Sequence, residues 1–208
     1  MMFFGLFGKK NGNAAIVARQ YERLTAAARQ PVLYESMDVP DTVMGRFEMV
    51  SAVLILYFRR TRASARAGQE IAQEIVDAFF EDVDHSIREL GVGDVRVPKR
   101  MKKLASMFYG RLESYSDALD RGDGPALEAA LRRNFHPKAQ TDAPSMAALA
   151  AYMRTVEAAL SASGEDAVET GALAVPPPGA GTDAGASADA GALPDRATAK
   201  DAMQRNDP

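Results

Sequence analysis

The residues whose types and spacing come nearest to chemistry lie in one acidic stretch: Glu81, Asp82, Asp84, His85 and Glu89. On a helix Glu81, His85 and Glu89 share a face at four-residue spacing, and Asp82 precedes His85 by three, the carboxylate-x-x-His pairing of di-iron helix bundles. Such a centre needs matching ligands on facing helices. The only other histidine, His136, stands against a helix-ending proline, Pro137, and no second helix combines acids with a histidine. A helical metalloenzyme would therefore rest on Asp82, His85 and Glu89 alone. The stretch is read instead as a solvated acidic face or a docking surface, and no metal or other cofactor is expected.

Nucleophilic catalysis has no better footing. The chain contains no cysteine, which removes thiol nucleophiles, thiolate metal ligands and disulfides together. There is no G-x-S-x-G elbow and there are only two histidines to act as bases. Gly91-Val92-Gly93 follows a helical pattern and lacks a P-loop lysine, whereas phosphate loops follow a strand and open a helix. It is read as a turn. The expectation is a protein that holds another protein and performs no reaction of its own.

Charge is the strongest pattern. Residues 70–94 hold eight acidic residues against one basic, Arg88, while residues 95–112 hold six basic residues and no acidic one: Arg96, Lys99, Arg100, Lys102, Lys103 and Arg111. Arg59, Arg60, Arg62 and Arg66 form a second acid-free run. Two readings stay open. In one, antiparallel neighbours pair these faces across a bundle as surface salt bridges of small net worth. In the other, the cations form a patch for an acidic protein, RNA, the ribosome or lipid headgroups. With a net charge of −3, a pI near 5.5 and no RNP or zinc-finger pattern, docking on a protein or membrane assembly is favoured over free nucleic acid, and no DNA partner is expected. The candidate partner-binding residues are the six cations of residues 96–111 with the aromatic pair Phe108 and Tyr109, whose rings a helix separates by about 100°. Phe108 is expected in the core; Tyr109 is left open between core and surface.

The elements that must carry these residues are helices. Met101, Leu104, Phe108, Leu112, Tyr115 and Leu119 step by three or four, as do Ile71, Ile75, Phe79, Val83, Ile87 and Leu90, and Met146, Leu149, Met153, Val156 and Leu160. Val17, Tyr21, Leu24 and Ala28 mark a first helix, which Pro31 is expected to close. Thr42 is a candidate N-cap for a second, Gly68 a divider before the third, Gly91 a stop, Pro98 a first-turn residue, and Gly122 to Pro125 and Asp142 to Pro144 further starts. No stretch alternates with period two. The fold class expected is all-α: a single bundle-like domain of about six helices over residues 12–176, with a disordered Ala/Gly/Asp-rich tail over residues 177–208 that lacks aromatic residues.

The apolar run 49–58 has ten residues against the roughly 20 needed to cross a bilayer, so it is a core helix. At the start, Phe3, Phe4, Leu6 and Phe7 precede Lys9 and Lys10, the reverse of a secretory signal. Residues 1–11 are expected either to cap the core or to dip into an interface beside anionic headgroups. The expected location is the cytoplasm, with the inner face of the membrane as a peripheral site.

Residues 80–111, F-E-D-V-D-H-S-I-R-E-L-G-V-G-D-V-R-V-P-K-R-M-K-K-L-A-S-M-F-Y-G-R, resemble the ubiquinol–cytochrome c chaperone family, assembly factors of respiratory complex III. The order carries the resemblance: an acidic helix ending R-E-L-G-V-G-D, a basic helix start, Phe108-Tyr109-Gly110-Arg111, then Tyr115, Leu119, residues 126–135 and residues 149–153. Gly164-Glu165-Asp166 and Gly171 are similar to the family's closing segment, and the likeness spans about residues 33–176. It implies an all-helical chaperone, not an enzyme, that binds newly made cytochrome b or another bc1 subunit and supports biogenesis of that complex. Mitochondrial members carry an organelle presequence that has no counterpart here, which implies a bacterial member. The alternative reading is an RNA- or ribosome-binding helical module using the basic start at residues 96–103.

Overall fold

The computed structural model describes residues 13–139 and 142–179 of the 208-residue chain. The apolar segment 1–11 and nearly all of the tail 177–208 lie outside the described residues. Eight helices and no strand occur among those described: α1 (Ala14–Ala28), α2 (Pro31–Ser36), α3 (Val43–Thr61), α4 (Arg66–Glu89), α5 (Val97–Asp120), α6 (Gly124–Phe135), α7 (Ala147–Ala162) and α8 (Glu165–Glu169). Six of them are at least 12 residues long, and α2 and α8 are single turns of 6 and 5. The fold is the all-α bundle that the periodicity predicts.

α3 is the axis of the molecule. Its residues from Met49 through Tyr57 are all buried except the half-buried Val50, and it packs on α1, α4, α5, α6 and α7. A helix apolar on every side must be enclosed on every side, which is why the ten-residue apolar run forms the centre rather than a face. Thr42 caps it, its side chain accepting from the Gly45 amide at 3.0 Å, and Asp123 caps α6 through the Ala126 amide at 2.9 Å.

Three local expectations need correction. Pro31 does not merely close α1; it opens α2 from the first turn, where its missing N–H costs nothing. Gly68 divides nothing, because α4 already begins at Arg66. A Cβ there would lie 2.8 Å from Ser64 and 3.0 Å from Val168, so this glycine permits close approach of the closing segment. Met146 stands before α7 rather than within it, at φ 60, with its side chain fully buried.

The chain after α8 returns to α1. The buried Gln20 amide donates to the Leu173 carbonyl at 3.1 Å and accepts from the Leu173 amide at 3.0 Å, pairing with an extended backbone as a neighbouring strand would. Gly171, at φ +65, makes the bend that presents Leu173, and a Cβ on it would meet the Ile16 carbonyl at 2.6 Å. Tyr152 holds the end of the segment through the Pro176 carbonyl at 3.0 Å.

Candidate functional site

α5 carries the candidate partner-binding residues and sorts them by helix geometry. Val97, Phe108, Tyr115 and Ala118 face the core, while Arg96, Lys99, Arg100, Lys102 and Lys103 are exposed. Among the described residues none of those five cations forms an ion pair. With Gly91, Val92 and Met107 they border an open basin of about 850 Å³ between the α4–α5 turn and the first turns of α5.

Phe108 and Arg111, grouped with that face on the sequence, turn inward. Phe108 is 1% exposed, and its ring lies 6.0 Å from Phe58 and 5.7 Å from both Phe79 and Phe80. Arg111 reaches Glu48 on α3 with two parallel bonds, Nε and Nη2 each at 2.7 Å from a carboxylate oxygen. Burial pushes the Glu48 carboxyl above its ordinary range, and the Arg111 guanidinium offsets part of that rise. Tyr109 stays at the surface, 54% exposed, edge-on to Phe108 at 5.5 Å. The Phe-Tyr-Gly-Arg element is thus two inward anchors around one outward ring.

The arginine run behaves differently from the α5 cations. Arg59, with its side chain 9% exposed, reaches Asp120 on α5 at 2.8 Å, Glu157 on α7 and the Ser116 carbonyl. Its bond holds the Asp120 carboxyl below the usual range. Arg60 bonds Glu165 at 3.2 Å and the Ser163 carbonyl at 2.9 Å. Glu165 also accepts from Ser64 and from the Ala65 amide at the head of α4; desolvation raises its carboxyl, and these bonds outweigh that to hold it low. Pairing across the bundle therefore takes up Arg59 and Arg60, while Arg62 reaches Asp120 at 3.6 Å from an exposed position and Arg66 pairs within α4.

Several acids of α4 and of the turn after it have partners within the molecule. Asp82 accepts from the Tyr21 hydroxyl at 2.8 Å, Arg88 bridges Asp84 and Asp94, and Glu70 pairs with Arg66. Among the described residues no group of three or more His, Asp or Glu side chains is placed to hold a metal, and His136 instead donates from Nε2 to the Asp38 carbonyl at 2.8 Å.

A groove of about 550 Å³ opens between α1, α3, α4 and α5. Its floor includes Phe47 and Phe79, stacked at 5.8 Å, with Ile87 and Leu104 beside them. Val43, Met44 and Leu90 form its lip at 59%, 44% and 60% exposure, and Arg29, Arg46, Asp82 and Glu89 add charges to the lining.

The family model described as ubiquinol-cytochrome C chaperone matches residues 35–175. The chain belongs to this family. The match runs from the end of α2 through the segment that Gln20 clamps, and takes in the basic basin and all of the groove except its α1 wall. A solved structure described as the Cbp3 homolog from Brucella abortus superposes with a TM-score of 0.73 at 47% identity, covering 78% of this chain and 90% of that one. Ubiquinol-cytochrome-c reductase complex assembly factor 1 of Xenopus laevis is 27% identical over 139 residues, 66% of this chain and 69% of the relative. The factor of the same name in Mus musculus is 28% identical over 64% of this chain, which spans only 45% of the relative's length. Family members are chaperones of ubiquinol–cytochrome c reductase, a role that calls for surfaces rather than reacting groups.

Of those surfaces, the basic face was visible as a charge run and the groove was not. Residues 49–58 read as a core helix and Leu90 as the last member of α4's apolar stripe, while Val43, Met44 and Phe47 entered no pattern. The available signal was that α3 opens with two large apolar residues, Val43 and Met44, ahead of the enclosed run that begins at Met49. No helix among the described residues is long and apolar enough to cross a membrane.

Proposed function

We propose that this chaperone holds newly made cytochrome b while the bc1 complex assembles, receiving an apolar segment of the client in the groove between α3 and α4. The observation that carries the proposal is the open lip: Val43, Met44 and Leu90 keep large apolar surface in water around an aromatic floor. The groove's volume falls within the ~300–1,000 Å³ of pockets that bury apolar ligands, and an amphipathic or apolar helix laid in a groove reads out by anchors at i, i+3, i+4 and i+7. Charged residues flank the groove, so a segment can be positioned there and released without forming a permanent core. The relatives' names supply the class of client, a subunit of ubiquinol–cytochrome c reductase. Holding and release need no bond to be made or broken.

The test is genetic and chemical together. Removing the gene should lower the cytochrome b signal in reduced-minus-oxidised spectra, and a photoreactive residue at Met44 should cross-link to cytochrome b during its synthesis. Unchanged assembled bc1 complex in the deletion strain would refute the reading.

A further inference from the structure

We propose that the tip of the α4–α5 hairpin docks on an anionic membrane surface, with Val95 entering the interface and Arg96, Lys99, Arg100, Lys102 and Lys103 meeting lipid phosphates. Val95 is 94% exposed at the crest of the turn, further out than any other large apolar side chain described. The five cations crowd the first two turns of the helix that follows, within about 10 Å along its axis. None has a carboxylate partner among the described residues, and the nearest acid of the turn, Asp94, is held by Arg88. An apolar wedge ringed by cations is the composition that interfacial segments use, the aliphatic group dipping to the acyl boundary while the cations stay at headgroup level.

The alternatives fit less well. Single-stranded RNA is gripped by aromatic platforms beside the charges, and the basin walls are Val92, Ser106, Met107 and glycine, with no ring among them. A folded acidic protein would leave Val95 without a purpose. The chain as a whole is acidic, at −3, so attraction to a negative surface must come from a local concentration of cations, and this tip holds five within residues 96–103. With this tip foremost Leu90, which lies on the groove lip, stands one residue from Gly91 of the basin, and the groove opens beside the bilayer. Docking itself needs no client, and its test is independent of the client proposal.

The chain contains no tryptophan, so Val95→Trp supplies a single indole reporter. Vesicles of phosphatidylcholine with about a third phosphatidylglycerol should shift its emission to the blue and quench it with bromolipid, while pure phosphatidylcholine vesicles should not. Reversing Lys99, Arg100, Lys102 and Lys103 to Glu in the same background should abolish the shift, weakening vesicle binding more than 100-fold, since each cation near an anionic surface is worth about fivefold. These side chains are exposed and unpaired, so the folded state survives the reversal, as an unchanged far-UV spectrum and melting temperature would verify. Absence of a shift with anionic vesicles overturns the proposal. So does tighter binding of the unreversed protein to a uridine oligonucleotide than to vesicles, which would assign the face to RNA, and so does a shift that persists after charge reversal.

Discussion

Two stretches of this chain read alike on paper and do opposite things in space. Arg59, Arg60, Arg62 and Arg66 form one acid-free basic run, and Arg96 through Lys103 form another. The first leaves α3, which is enclosed by five helices, so Arg59 and Arg60 emerge among the carboxylates of α5, α7 and α8 and are consumed as internal ties. The second opens α5 at the α4–α5 turn, where its cations are exposed and none of the described residues forms an ion pair with them. A charge run acquires its meaning from what the fold brings to face it. The contrast recurs within α5: Arg111, only eight residues beyond Lys103, rotates to the core side and pairs with the buried Glu48.

The largest effect should come from breaking that inward pair. Arg111→Met leaves the Glu48 carboxylate buried without its cation and should cost about 3–5 kcal/mol, lowering the melting temperature by roughly 10 °C in calorimetry. Its pH dependence has a definite sign. Burial holds the Glu48 carboxyl above its ordinary value, so the native state favours the protonated form; stability from this group is fully present in acid and is lost as pH rises through the native titration. Without Arg111 the rise is larger, and the deficit of the variant should grow between pH 5 and pH 8. A deficit that shrinks with pH would mean that Glu48 is not the group left uncompensated.

Arg59→Met should follow at about 2 kcal/mol, because it strips charge-assisted bonds from Asp120 and Glu157, both of which retain access to water. Met44→Asp should leave the melting temperature within about 2 °C, as surface substitutions do, while reducing cross-linking to the client more than tenfold. The quadruple reversal of Lys99, Arg100, Lys102 and Lys103 is expected to move stability least, within about 0.5 kcal/mol for the four together. If chemical denaturation showed it as damaging as Arg59→Met, the two basic runs would not differ in kind and the comparison would fail.

Much of the fold was legible because helices announce themselves locally. Period 3.6 in the apolar residues of α4, α5 and α7, the Thr42 cap and the Gly91 stop depend on neighbours within one or two turns. The second use of Pro31 and the error at Gly68 arose where a residue's local preference permits two uses, closing or opening a helix, breaking or allowing contact; at Gly68 only distant packing against Val168 chooses between them. The site was legible by half. Exposed cations follow from the helix period opposite Phe108 and Tyr115, but the groove is a gap between four helices, and a gap has no residue of its own to mark it.

What the sequence by itself determined is the material: an all-helical, cysteine-free chain, an ordered set of motifs sufficient to place it in its family, and two concentrations of positive charge. Tertiary structure alone decided which charges are spent. Helix-helix packing set Arg59 against Glu157, Arg111 against Glu48 and Gln20 against Leu173, contacts between residues 63 to 153 positions apart. It left Val95, Met44 and the α5 cations facing water. Electrostatic and apolar interactions act over a few ångströms of space, and separation along the chain says nothing about that distance until the helices are packed.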